Sequence, residues 1–364
     1  MALRGPFSFK DAGGGQGVEG GGTSGNRHAV SSDAPGQAPK RGSVLGRGLV
    51  WSWSNALVGV IYAVPAIAAL PFDVRRGLAL GFGVLPAAIA GVAPARRDRW
   101  RVVVLGACTA VPMVVGSVLA NDPVFAVAAI WVLCIAAALL AGRRPAGQIV
   151  MNLSVPMVGI GLSFESASES AALAGLIIVG SVYAWLVSLL WPDQPRPSAA
   201  SRPRPPEPML GYGVRLGAAG ASAAAVGFAF DFDHVGWACA ATLLVMRPSV
   251  EMQRLRSVGR VVSVCCGALA ALVIAQLEPA AGWYAVVVLV AVGGAAAMRA
   301  SRWYVTAAFT TLLVISLLLY AHPDDAGSRF GERVGETILG VSIAYVFGLL
   351  LPRLTTGWRR RESV

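Results

Sequence analysis

The chain alternates long apolar runs with short polar gaps, and that alternation limits its folds more than any other feature. Apolar segments lie near 50–70, 77–94, 102–120, 124–142, 146–163 and 171–191. A second set lies near 213–230, 235–247, 261–277, 281–298, 303–320 and 334–351. Most approach the ~20 residues that a helix needs to cross a bilayer. In lipid every backbone N–H and C=O must be satisfied internally, which leaves only helices or closed barrels. Segments apolar all round, rather than along one stripe, point to helices embedded in a membrane. Only 13% of the residues are charged, against roughly 25% in a soluble domain. The expected fold is an all-α integral membrane protein with about 12 transmembrane helices.

The charges then orient the chain. Of 30 Lys and Arg residues, 26 fall in every second gap, counting the N-terminal tail as the first. Arg75, Arg76, Arg329 and Arg333 are the exceptions. The alternate gaps hold acids: Asp73, Asp122, Glu165, Glu169, Asp231, Asp233, Glu278, Asp324, Asp325, Glu332 and Glu336. Lys- and Arg-rich loops stay cytoplasmic, so both termini are expected inside a plasma or inner membrane. The +11 net charge is therefore read as topology rather than as a nucleic-acid surface. Cys108, Cys134, Cys239, Cys265 and Cys266 all lie in apolar segments. Their spacing fits neither a disulfide framework nor a metal site, so they are read as small packing residues.

Residues 1–48 are rich in Gly, Ser and Pro, lack an apolar stretch, and are expected to form a disordered cytoplasmic tail rather than a cleaved signal peptide. A first six-helix repeat follows over 49–192, a Pro-rich cytoplasmic linker over 193–210, a second six-helix repeat over 211–352, and a basic cytoplasmic tail over 353–364. The repeat is visible where Gly180 to Pro192 aligns with Gly340 to Pro352, matching at Gly, Ala, two Leu and Pro. Six helices per half make the two repeats parallel, as in many transporters.

Repeat transporters build their sites where corresponding segments are short or broken. The segment near 235–247 is the shortest, ending at Arg247-Pro248, and its counterpart carries Gly81, Gly83, Pro86, Gly91 and Pro94. Pro112 and Pro156 lie inside segments and free carbonyls there. Among uncharged polar groups, Asn152, Thr306 and Thr310 are candidate substrate contacts, and interhelical hydrogen bonding is the plainer use.

His234, Trp237, Arg247, Pro248, Ser249, Arg260 and Gly267 together carry a resemblance. The stretch over about 210–352 resembles the FUSC family, the fusaric-acid-resistance-like or aromatic-acid-exporter-like membrane proteins. The resemblance implies export of small aromatic or other organic acids by secondary transport.

The residues offer a separate reading of the same gap. Arg256 and Arg260, four apart, share one helix face, and Arg247 precedes the break. Together they would form a cationic cytoplasmic vestibule that concentrates carboxylates. The plainer reading is that they set topology and bind headgroups. For coupling, the candidates are His234, able to titrate near neutral pH, with Asp231 and Glu336 at the outer entrances. No ionisable group is expected deep inside a span, and Arg333 is expected to pair with Glu336.

A transporter of small organic, aromatic carboxylic acids is the favoured reading, with the lipid bilayer and a small anionic substrate as its partners. A non-transport scaffold or accessory subunit of an envelope assembly is the alternative. No catalytic residue, metal or cofactor is expected, and oligomeric state stays open.

Overall fold

The computed structural model describes residues 49–193, 209–277, 280, 282–301, 303–321 and 326–353. The expected disordered tail, most of the linker and nearly all of the basic tail fall outside these residues, as do Glu278, Arg302, Asp324 and Asp325. Among the described residues the chain is helical, with no strand.

The first half comprises α1 (Trp53–Ala69), α2 (Val74–Ala90), α3 (Arg101–Leu119), α4 (Pro123–Arg143), α5 and α6 (Ala167–Ser188). α5 runs through Pro145–Ile149, a π turn at Val150–Ser154, and Val155–Gly161. The π turn has a local cause, because Pro156 lacks the N–H that the Asn152 carbonyl would otherwise accept. The second half comprises α7 (Leu210–Ala229), α8 (Val235–Val245), α9 (Val250–Gln276), α10, α11 (Trp303–Ala321) and α12 (Ala326–Tyr345, extended by a π turn at Val346–Leu350). α10 joins Trp283–Val288, a π turn at Leu289–Gly293, and Gly294–Ala297.

Length and apolar composition qualify five helices to cross a bilayer, fewer than the twelve expected spans: α3, α4, α6, α9 and α12. α1, α5, α8, α10 and α11 are apolar but shorter. α2 opens on Arg75 and Arg76, and α7 mixes Gly and Ala with Arg215. Faces turned away from the bundle stay apolar, with Val111, Val118, Val132 and Val258 more than half exposed. A soluble protein would not leave such faces to water.

Helix ends follow the charge pattern. Asp73 caps α2 by accepting the Arg76 N–H, Asp122 caps α4 by accepting the Val124 and Phe125 N–H groups, and Ser166 caps α6 through the Glu169 N–H. An acid at a helix N-terminus complements the macrodipole. At the opposite ends arginines donate to the last carbonyls. Arg99, 2% exposed, donates to Ser188 O at 2.5 Å, Trp191 O at 2.8 Å and Pro192 O at 2.9 Å, closing the end of α6. Arg299 donates to Ala90 O at 3.1 Å, where Gly91 turns the chain at φ +70°.

The helices pair in a recurring order. α1 packs on α2 and α10, α2 on α6, α3 on α5 and α6, and α5 on α8. Each pairing recurs when six is added to both labels, counting α1 after α12: α7 on α8 and α4, α8 on α12, α9 on α11 and α12, and α11 on α2. One apolar core is built chiefly from α1, α2, α10 and α11, the other from α4, α5, α7 and α8. Both of these cores therefore take helices from both halves of the chain, while a third, smaller cluster of Ala110, Met113, Ala174 and Ile177 lies between α3 and α6.

The aligned glycines sit at matching contacts. A Cβ on Gly180 of α6 would lie 2.6 Å from the Gly83 carbonyl of α2. One on Gly340 of α12 would strike the Ala238 carbonyl of α8. Only glycine permits backbones to approach this closely.

Candidate functional site

α8 is the most enclosed helix, with every residue but Leu244 buried. Its entrance carries Asp231, Asp233 and His234, and it packs along α12, which carries Arg329, Glu332, Arg333 and Glu336. These meet in two layers.

The shallower layer is an ion-pair network. Arg329 Nη1 lies 3.1 Å from Asp233 Oδ2 and 3.6 Å from Glu332 Oε2, and His234 Nδ1 lies 3.8 Å from the same Glu332 oxygen. The His234 ring stacks on Trp237, with centroids 4.1 Å apart. Burial, assisted by Arg329 and Arg333 and opposed by Asp233, pushes this imidazole down to about 4. His234 is thus neutral at pH 7, where the sequence suggested titration near neutrality. Asp231 is exposed and holds the turn at φ +52°, a left-handed conformation that aspartate tolerates better than most residues.

The deeper layer is different in kind. Arg333 is 8% exposed and sets its guanidinium carbon 4.3 Å from the Trp237 ring centroid. That places the cation over an aromatic face. Glu336 is 6% exposed and Arg260, on α9, is 8% exposed. Arg260 and Glu336 both lie within electrostatic range of Arg333. The helix register agrees. Gln253 Nε2 of α9 donates to Ala344 O of α12 at 2.6 Å. Seven residues onward along α9 is Arg260, and seven back along antiparallel α12 is Thr337, next to Glu336.

These positions correct two expectations. Ionisable groups do lie deep in the bundle: Arg260 is ten residues past the start of α9, about 15 Å along the helix. The apolar run beginning near 261 concealed this, because α9 already starts at Val250. Arg333 and Glu336 do not close an ion pair either. Among the described residues neither the Arg260 nor the Arg333 guanidinium makes a hydrogen bond or ion pair, and Glu336 Oε2 is buried without a partner.

The proposed vestibule does not gather as one unit. Arg247 Nη1 donates to Met246 O at 2.5 Å and to Leu243 O at 3.4 Å, and Arg256 Nη1 to Leu244 O at 3.4 Å. Both close the end of α8, beside Tyr212, whose hydroxyl donates to Met246 O at 3.1 Å. Arg260 sits a turn deeper. Asn152 Nδ2 reaches Gln148 Oε1 at 3.4 Å, and Thr310 donates to Thr306 O at 3.0 Å, so these polar groups bond within their own helices. All five cysteines are free thiols.

Arg333 and Trp237 carry the most information, and neither was among the candidate contacts. The repeat alignment holds the signal that finds Arg333. Offset by the Gly180 to Gly340 spacing, Arg333 corresponds to Leu173 and Glu336 to Leu176. The first half makes the equivalent helix contact with leucines, so helix packing alone does not require the charges.

No curated protein and no solved structure matches the chain. Residues 222–347 match the family model described as fusaric acid resistance protein-like, and this span contains every residue of both charged layers. With five helices long and apolar enough to cross a bilayer, the chain is a membrane protein of the transporter type. Over residues 222–347 it is similar to the fusaric acid resistance protein-like family.

Proposed function

We propose that the chain is a secondary transporter that exports small organic acids, aromatic carboxylic acids among them, across the plasma or inner membrane. It crosses twelve times as two parallel six-helix repeats, with the Arg-rich ends and both termini cytoplasmic. The observation that carries this reading is the recurrence of every major helix pairing six helices later, with the two larger cores shared between halves. A parallel repeat of that kind suits a carrier whose halves rock about a common site. The shorter helices lie against longer ones inside the bundle, where protein supplies the contacts that lipid would otherwise demand. Substrate charge follows from the cationic balance of the deeper layer, two guanidiniums to one carboxylate, since buried charge in a span marks a transport path. The family supports the aromatic acid.

Purified protein reconstituted into liposomes, with and without a pH gradient, tests this against a panel of aromatic carboxylates. Faster, saturable release than from protein-free liposomes is the expected result. Equal release across the panel would refute transport. Stable co-purification with one partner would then favour an envelope scaffold.

A further inference from the structure

The geometry points to a single intramembrane anion site in which Arg260 of α9 and Arg333 of α12 receive one monoanionic carboxylate, while Glu336 is the internal carboxylate that competes with this ligand. The inference rests on reading the chain as a membrane-spanning carrier, and deepens that reading by naming the receptor and its competitor.

Three observations build the site. The first is that two guanidiniums, each more than nine-tenths buried, have no hydrogen bond or ion pair among the described residues. Burying an arginine without a hydrogen-bond or ion-pair partner is costly, so a fold that keeps two of them together is suited to receiving an anion there. Arginine also suits the purpose, because its planar fork matches a carboxylate and stays charged when buried. The second observation is charge arithmetic. Arg260 and Arg333 against Glu336 leave one net positive charge in the deeper layer, which one monoanion neutralises. The Arg329 layer above holds two carboxylates, Asp233 and Glu332, to its one guanidinium, so the excess of cations is confined to the deeper layer. The third is the repeat itself. Leu173 and Leu176 occupy the corresponding places in the first half, so the same helix pairing holds with no charge at all.

Trp237 is a positioning residue. Its ring lies against His234 on one side and carries the Arg333 guanidinium 4.3 Å from its centroid, which fixes the direction of the fork. The charged groups acting on Glu336 are Arg333 and Glu332 on its own helix and Asp233 at the mouth of α8, while Arg260 on α9 acts on Arg333. Among the described residues no other acid lies in the deeper layer, so Glu336 is the internal competitor for the arginine pair.

Binding of radiolabelled benzoate to the full-length protein in detergent tests the site, with methyl benzoate as the uncharged control. Arg260→Leu and Arg333→Leu should each weaken benzoate at least tenfold, the worth of one charge-assisted hydrogen bond. Arg333→Leu copies the first half and should fold; Arg333→Lys, which keeps the charge but not the fork, should fall in between. Glu336→Leu should strengthen binding severalfold, an effect that a merely structural carboxylate would not produce. Methyl benzoate should not compete. No benzoate binding to wild type, unchanged binding in both arginine variants, or weakened binding in Glu336→Leu would each overturn the site. Flux that persists while the arginine variants bind normally refutes the site alone. Binding as described without flux refutes the carrier and leaves the site standing.

Discussion

Four glycines test the packing on which the site depends. Gly175 and Gly180 on α6 recur as Gly335 and Gly340 on α12 at the same spacing. The first of each pair faces open space, with nothing within 4 Å of an added Cβ. The second of each pair abuts a neighbouring helix backbone. At Gly340 an added Cβ meets Ala238 O, lies 2.9 Å from Ala241 Cβ and 3.1 Å from Thr242 N. At Gly180 it lies 2.6 Å from Gly83 and 2.9 Å from Val84 N. Carbonyls and amides inside a helix cannot rotate away, so α8 and α12 must separate, or α2 and α6. Overpacking of this kind costs about 1–3 kcal/mol. At the open positions alanine relieves glycine's entropy in a helix and gains up to about 1 kcal/mol. Gly340→Ala and Gly180→Ala should therefore melt a few degrees below wild type in detergent, and Gly335→Ala and Gly175→Ala at or above it. Melting of a membrane protein is often irreversible, so rank at one heating rate is the observable. If Gly335→Ala and Gly340→Ala melt alike, the close approach of α8 and α12 is wrong. If only one of Gly180 and Gly340 is sensitive, the matched repeat is wrong.

Three further outcomes follow from the charged groups. Glu336→Leu alone leaves two buried cations facing one another and should be the least stable of its series, while Arg333→Leu with Glu336→Leu, which restores the leucines of the first half, should melt no lower than wild type; the reverse order would place the charges in the fold rather than the site. Arg99→Leu strands the last carbonyls of α6 and should cost about 2–4 kcal/mol, read as a large drop in melting temperature, and wild-type melting would show that those bonds are dispensable. His234 is held neutral in the fold at about 4, so its contribution is present above an unfolded value near 6.5 and is lost as pH falls towards 4. Melting temperature should decline over that window in wild type and decline less in His234→Phe, and equal slopes would remove His234 from the account.

The helices were legible because lipid demands apolar runs, and each predicted segment coincides with a helix to within a turn at most ends. The α9 and α12 starts were not, because Arg254, Arg256 and Arg260, like Arg329 and Arg333, interrupt hydropathy and look like loop. That same interruption hid the site, since a charge inside a span is indistinguishable by hydropathy from a charge before it. The sharing of cores between halves was beyond reach, as no local pattern records which distant helix a face meets. The four arginines outside the topology rule held a clue. Arg76 pairs with Asp73, Arg329 with Asp233 and Glu332, and Arg75 is exposed, which leaves Arg333 as the exception without an acid partner.

Counterflow tests the central claim most directly. Proteoliposomes loaded with unlabelled benzoate and diluted into a trace of labelled benzoate should show a transient overshoot of label with the wild-type protein, and none with Arg333→Leu. No overshoot with wild type, or an undiminished overshoot with Arg333→Leu, would contradict it.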